Sequence, residues 1–138
     1  GLPIVFYGRS LGSHMGITAA LDAGNATAAV VLESAPLSCI STYVNTPLVR
    51  WRPLDYFVNT RVLARLQVPL LVIHGTADNL VPAEHGRHLC NIYHHNKDCL
   101  WVQGGGHNNL HDPGGPFHSL IVHKVREFLH DHVAPVDP

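Results

Sequence analysis

The stretch Ile4-Val5-Phe6-Tyr7-Gly8-Arg9-Ser10-Leu11-Gly12-Ser13 decides how the rest of the chain is read. Four apolar residues in a row predict a buried strand. Gly8-Arg9-Ser10-Leu11-Gly12 then fits the G-x-S-x-G nucleophile elbow, in which a strand reverses into a helix. Such a turn puts Ser10 in a strained backbone conformation, its hydroxyl exposed at the C-terminal end of the strand. Side chains two residues before and two after would collide there, so glycine suits both Gly8 and Gly12. The helix that follows aims its unpaired N–H groups at the same place, and the N–H of Leu11 is set to bind a developing oxyanion. Alone, the pattern is weak, since a chance match arises in roughly 5% of chains of this size at ordinary glycine content. The order strand, motif, helix raises it above a glycine-rich turn, and partners further along the chain raise it again.

The chain has 138 residues, which predicts a single domain over 1–138 with a sizeable core. A hydrophobic fraction of 46% and a charged fraction of 14% describe a rather apolar globular protein. A net charge of -1, without a basic run or an aromatic–basic stripe, argues against nucleic acid as a partner. No apolar run reaches membrane-spanning length. The 3 cysteines, Cys39, Cys90 and Cys99, include no C-x-x-C and read as reduced, partly buried thiols in a cytoplasmic setting. A Cys90–Cys99 bridge is the less favoured alternative. The 12 histidines fall in no metal-binding spacing and read mostly as surface residues, so neither metal nor cofactor is expected.

The remaining segments predict an α/β fold. A helix runs from the elbow to about Ala23 and stops at Gly24. Ala28 to Leu32 is a second strand, apolar without alternation, as in a parallel sheet covered on both faces. Residues 34–67 are irregular, with prolines at 36, 47 and 53, and read equally well as a cap over the site or as a long connection. A short helix is expected over Arg61 to Leu66. Pro69 to Ile73 is a third strand, Ala83 to Tyr93 a helix, and Leu100 to Val102 a short fourth strand. Pro116 to about His132 is a closing helix whose apolar face carries Phe117, Leu120, Ile121, Val125, Phe128 and Leu129.

Chemistry follows from where the strands end. A serine hydroxyl needs a base beside it, and the base needs a carboxylate to fix its tautomer. Asp78 lies just past the third strand and His107 just past the fourth. In a parallel sheet both loops emerge at the edge that carries Ser10. Ser10, Asp78 and His107 are therefore the candidate catalytic residues. Glu33, at the end of the second strand, is a rival acid. His74 suits a packing or loop-anchoring role, and Asp112 suits loop orientation or a solvated turn.

Gly8-Arg9-Ser10-Leu11-Gly12, Leu71-Val72-Ile73-His74-Gly75-Thr76-Ala77-Asp78 and Gly105-Gly106-His107-Asn108 together resemble the last half of the α/β-hydrolase superfamily. Asp55-Tyr56-Phe57 and Leu100-Trp101-Val102-Gln103-Gly104 are similar to its bud-emergence-type and membrane-attached protein-depalmitoylase branch. The resemblance implies a partial α/β-hydrolase fold of about four parallel strands, from the elbow strand onward. It also implies Ser10 as nucleophile, Asp78 as acid, His107 as base and Leu11 as oxyanion donor. The implied substrates are carboxylic esters or thioesters, including fatty-acyl cysteine on proteins. Members of the family carry further strands and a second oxyanion N–H ahead of the elbow. A chain beginning at the elbow strand is accordingly expected to be a fragment or truncated, feebly active form that self-associates through the open edge of that strand or pairs that edge with its own missing half. Two other readings stand beside this one: a peptidase of prolyl-oligopeptidase type, and a non-catalytic interaction module that keeps the fold.

Overall fold

A computed structural model describes residues 2–39 and 56–133. Within these residues the elements in order are β1 (Ile4–Arg9), α1 (Gly12–Ala23), β2 (Thr27–Glu33), α2 (Asn59–Leu63), β3 (Leu70–Gly75), α3 (Ala83–Ile92), β4 (Lys97–Val102) and α4 (His118–His132). The four strands form one parallel sheet in the order β1-β2-β3-β4. This is the expected α/β arrangement. Every crossover steps the same way across the sheet, and the right-handed rule then stacks the intervening helices on a single face. Ile17 and Ala20 of α1, Leu63 of α2 and Leu89 of α3 accordingly pack with Val30, Leu32, Leu70 and Val72. Helix α4 covers the opposite face, where Ile121 and Phe128 meet Ala29, Val31, Leu71 and Ile73. The alternation of strand residues between two buried faces explains why β2 and β3 read as unbroken apolar runs. Each fully buried aliphatic side chain contributes about 1.5–3 kcal/mol.

Several details differ from the sequence reading. Strand β4 begins three residues earlier than expected, at Lys97. Lys97 and Asp98 tolerate strand structure because β4 is an outer strand of the described sheet and its first two positions are exposed and half-buried. Helix α2 lies at Asn59–Leu63 rather than at Arg61 to Leu66. Leu120 is exposed on α4, so the packed face there narrows to Phe117, Ile121, Val125, Phe128 and Leu129. Cys90 of α3 and Cys99 of β4 are joined in a disulfide, with Cα atoms 6.5 Å apart, whereas Cys39 is free. The reduced-thiol reading of that pair is thereby corrected. The helix packs directly on the strand, and this packing brings the two side chains, 9 residues apart in sequence, face to face. Arg87 stacks over the Trp101 ring at 4.9 Å and makes a second link between α3 and β4. The middle of the 34–67 segment, residues 40–55, on which the cap-or-connection question turns, lies outside the described residues. No helix among the described residues is long and apolar enough to cross a membrane.

Candidate active site

The elbow is built from a backbone clash avoided and a backbone conformation enforced. A Cβ on Gly8 would come within 2.6 Å of the Ser13 Cα, so only glycine lets α1 start this close to β1. A Cβ on Gly16, one turn further along α1, would lie 3.2 Å from the Gly8 Cα, a tight but less severe approach. At Gly12 the expected collision is absent, because a Cβ there meets nothing within 4 Å. Ser10 itself has φ of 51°, the left-handed conformation rare for a residue with a side chain. Three contacts hold it there. Its N–H donates to the Glu33 carbonyl at 2.9 Å, and its carbonyl accepts from the Ser13 N–H at 3.0 Å. The Ser13 hydroxyl donates to that same carbonyl at 2.6 Å.

The loops after β3 and β4 lean on each other. A Cβ on Gly75 would lie 2.2 Å from the Gly105 carbonyl oxygen, which accepts from the Ala77 N–H at 2.9 Å. This contact carries the Asp78 loop to the His107 loop. His107 Nδ1 lies 2.7 Å from Asp78 Oδ2, and His107 Nε2 lies 3.1 Å from the Ser10 hydroxyl. With Nδ1–H donated to the carboxylate, the Nε2 lone pair faces the serine hydroxyl. The other oxygen of Asp78, Oδ1, accepts from the N–H groups of Leu80 and Val81 at 2.9 and 2.8 Å. Asp78 thus shapes its own loop with one oxygen and orients His107 with the other. Its side chain is fully buried, which strengthens both interactions. Leu11 directly follows Ser10 and opens α1, where the first N–H groups have no intrahelical partner.

His74 stands behind the carboxylate. Its Nε2–H donates to the Val81 carbonyl at 2.8 Å, and the ring lies 3.6 Å from Asp78 Oδ2. Burial pushes its pKa below the ordinary histidine value, partly offset by the Val81 carbonyl and Asp78. The imidazole packs on Gly86, where a Cβ would come within 2.5 Å of Nδ1. The loop-anchoring reading of His74 fits these contacts. Asp112 is exposed, and its carbonyl closes a turn with the Gly115 N–H at 2.7 Å.

Glu33, the rival acid, does not reach His107. Its fully buried carboxylate is held by Arg9 Nε at 3.1 Å, by the Tyr7 hydroxyl and by His111 Nε2. Burial of its hydroxyl end, together with Glu33, pushes the Tyr7 pKa up. The roles of Tyr7 and His111 leave no mark in the sequence pattern, because each contact spans a long loop of chain. Asn59 was missed for the same reason. Its amide donates to the Ser13 hydroxyl and to the Pro36 carbonyl, both at 2.7 Å. No group of three or more metal-ligating side chains occurs among the described residues.

No protein-family model matches the chain. Over 107 residues it is 31% identical to alpha/beta hydrolase domain-containing protein 17B of Homo sapiens, covering 78% of this chain and 36% of that protein. It is 29% identical over 126 residues to alpha/beta hydrolase domain-containing protein aho-3 of Caenorhabditis elegans, covering 91% and 36%. The chain therefore spans just over a third of the length of these relatives. Among solved structures, the esterase domain from a Rhodothermus marinus protein superposes with a TM-score of 0.75 at 16% identity, covering 96% of this chain and 62% of that one. A Pyrococcus horikoshii acylaminoacyl peptidase superposes with a TM-score of 0.73 at 17% identity, covering 98% and 25%. These two structural likenesses concern the fold. By its relatives, its sheet and its elbow, the chain belongs to the α/β-hydrolase superfamily.

Proposed function

We propose that this chain carries the catalytic residues of a serine hydrolase acting on carboxylic esters or thioesters, acylated protein among them. The observation that carries the reading is the hydrogen-bonded line Ser10–His107–Asp78 assembled from three separate loops. In this reading His107 Nε2 takes the Ser10 proton as the oxygen attacks the acyl carbon. Asp78 stabilises the imidazolium, the Leu11 N–H binds the oxyanion, and water later releases the acyl group by the same route. Nothing in the described site demands a metal or cofactor for these steps.

The outer edge of β1 supports self-association as a further part of this proposal. Ile4 and Tyr7 of this strand, with Leu2 just before it, are exposed, and an edge strand of this kind pairs readily with a second chain. Sedimentation at rising concentration would show a monomer–dimer equilibrium, and a strict monomer would remove this part.

The experiment that tests the substrate class compares short-chain and long-chain acyl esters, acyl thioesters and fluorogenic peptides. Hydrolysis of esters and thioesters, lost in Ser10→Ala, supports the reading. Cleavage of peptides alone would favour the peptidase reading, which the likeness to acylaminoacyl peptidase keeps open at the level of fold.

A further inference from the structure

Glu33 touches both halves of the candidate machinery. It ends β2 and pairs with Arg9, which ends β1, in the sheet register. Its main-chain carbonyl accepts the Ser10 N–H at 2.9 Å, so its backbone holds the strained nucleophile. Its side chain, fully buried, takes Arg9 Nε at 3.1 Å. The same guanidinium then donates through its terminal nitrogen to the His107 carbonyl and, at 2.8 Å, to Asn108 Oδ1. A second line leaves Glu33 for the same loop through His111 Nε2, and the Tyr7 hydroxyl lies 3.0 Å from that nitrogen. Between the end of β4 and the start of α4 the chain has no strand or helix to fix it. These side-chain bonds hold its His107–His111 part, beside the backbone contacts that hold Gly105.

The cost of this arrangement is a reason to look for a role. A buried carboxylate is expensive unless it is paired and fully hydrogen-bonded, and an apolar residue would serve packing as well. A cavity of about 250 Å³ opens beside the network, lined by Arg9, Glu33, Asn108, Leu110, His111 and Asp112. Arg9, Glu33, Asn108 and His111 are bonded to one another, so the cluster is built as a brace rather than as a receptor for a ligand. Arg9 sits one residue from Ser10, and its guanidinium crosses to the backbone of the residue that bears the imidazole. Displacing that backbone moves Nε2 relative to the serine hydroxyl.

We infer that Glu33 and Arg9 are positioning residues that fix His107 against Ser10, acting as one carboxylate–guanidinium tether between the strand ends and the histidine loop. The inference deepens the serine-hydrolase reading and rests on it for its functional meaning, while the tether itself is testable without turnover.

The test uses Arg9→Met, Glu33→Ala, Glu33→Gln and the Arg9→Met/Glu33→Ala double variant of the chain. The first readout is the ring ¹H–¹⁵N correlations of His107, assigned with His107→Gln. The second is the rate of covalent labelling of Ser10 by a fluorophosphonate. Both single variants are expected to shift the His107 ring signals and to slow labelling by about 10²-fold, the scale of an ångström's misplacement. Glu33→Gln, which still accepts from Arg9, recovers part of the loss. The double variant is no worse than Glu33→Ala alone, because the Arg9 arm of the tether is already without its carboxylate there. Arg9→Met leaves Glu33 with Tyr7 and His111 and keeps the proposal decidable if Glu33→Ala does not fold. Ring signals of His107 in Arg9→Met identical to those of the parent chain would overturn the tether. A parent chain that is never labelled counts against the hydrolase reading instead, and the ring signals still decide the tether.

Discussion

The amide of Asn59 supports Ser10 at one remove: it donates to the Ser13 hydroxyl at 2.7 Å, which in turn donates to the Ser10 carbonyl at 2.6 Å. Asn59 is buried, and its second donor hydrogen goes to the Pro36 carbonyl. Helix α2, short as it is, therefore locks the segment after β2 to the elbow. Asn59→Ala should cost about 1–3 kcal/mol, the scale of leaving buried partners unmade. Urea denaturation of the variant and the parent chain measures it. A difference below a few tenths of a kcal/mol would show that the chain of bonds carries no stability.

Acid should destabilise the fold through two histidines. Burial lowers the pKa of both His74 and His85 below the ordinary value of 6.5. In the folded state they stay neutral, and His85 Nδ1 uses its lone pair to accept the Leu37 N–H at 3.1 Å. The unfolded chain binds protons at these sites first, so their contribution is complete above the ordinary value and is lost as pH falls through it towards the lowered folded values. The urea midpoint should drop between about pH 7.5 and about pH 5.5. His85→Gln keeps an acceptor without titrating and should shallow that drop.

The contact between Gly75 and Gly105 should tolerate no side chain. A Cβ at Gly75 points at a main-chain oxygen 2.2 Å away, which cannot rotate out of its path. Gly75→Ala should destabilise the chain by about 1–3 kcal/mol, as overpacking does. It should also part the Asp78 and His107 loops, so the lost labelling of Ser10 should exceed what the thermal midpoint alone explains. A variant as stable and as reactive as the parent would contradict the close approach.

Cys90 and Cys99 close a short loop between α3 and β4. In a chain-entropy estimate a loop of this size contributes about 2–3 kcal/mol. Without reductant, alkylation should modify Cys39 alone, and reduction should lower the denaturation midpoint. Three alkylated cysteines in the unreduced folded chain would contradict the bridge.

What the sequence made legible is what physics writes locally. Ile4 to Gly12 reads as strand, elbow and helix because burial and a forced φ at Ser10 leave their mark in consecutive residues. Asp78 and His107 were identifiable because both follow strands of one parallel sheet, and the structure brings their side chains to Ser10. The rest is written across distance. Glu33, at a strand end, looked like a rival acid, and only the positions of Arg9, Tyr7 and His111 show where its carboxylate goes. The Cys90–Cys99 pair depends on how α3 lies along β4, which no spacing rule fixes. The steric demand for glycine falls on Gly8 and Gly16 rather than on Gly12, because the pattern names positions but not the neighbours that crowd them. Leu120 fits the helical period of its neighbours and still lies at the margin of the packed face.

The most direct test is covalent labelling of Ser10 by a fluorophosphonate, read by intact mass and peptide mapping. The account predicts a single adduct on Ser10, absent in Ser10→Ala and His107→Ala. In Asp78→Asn, where the imidazole loses the carboxylate that sets its tautomer, labelling should slow by about 10⁴-fold. A folded parent chain that takes up no adduct, or an adduct that persists in Ser10→Ala, would contradict it.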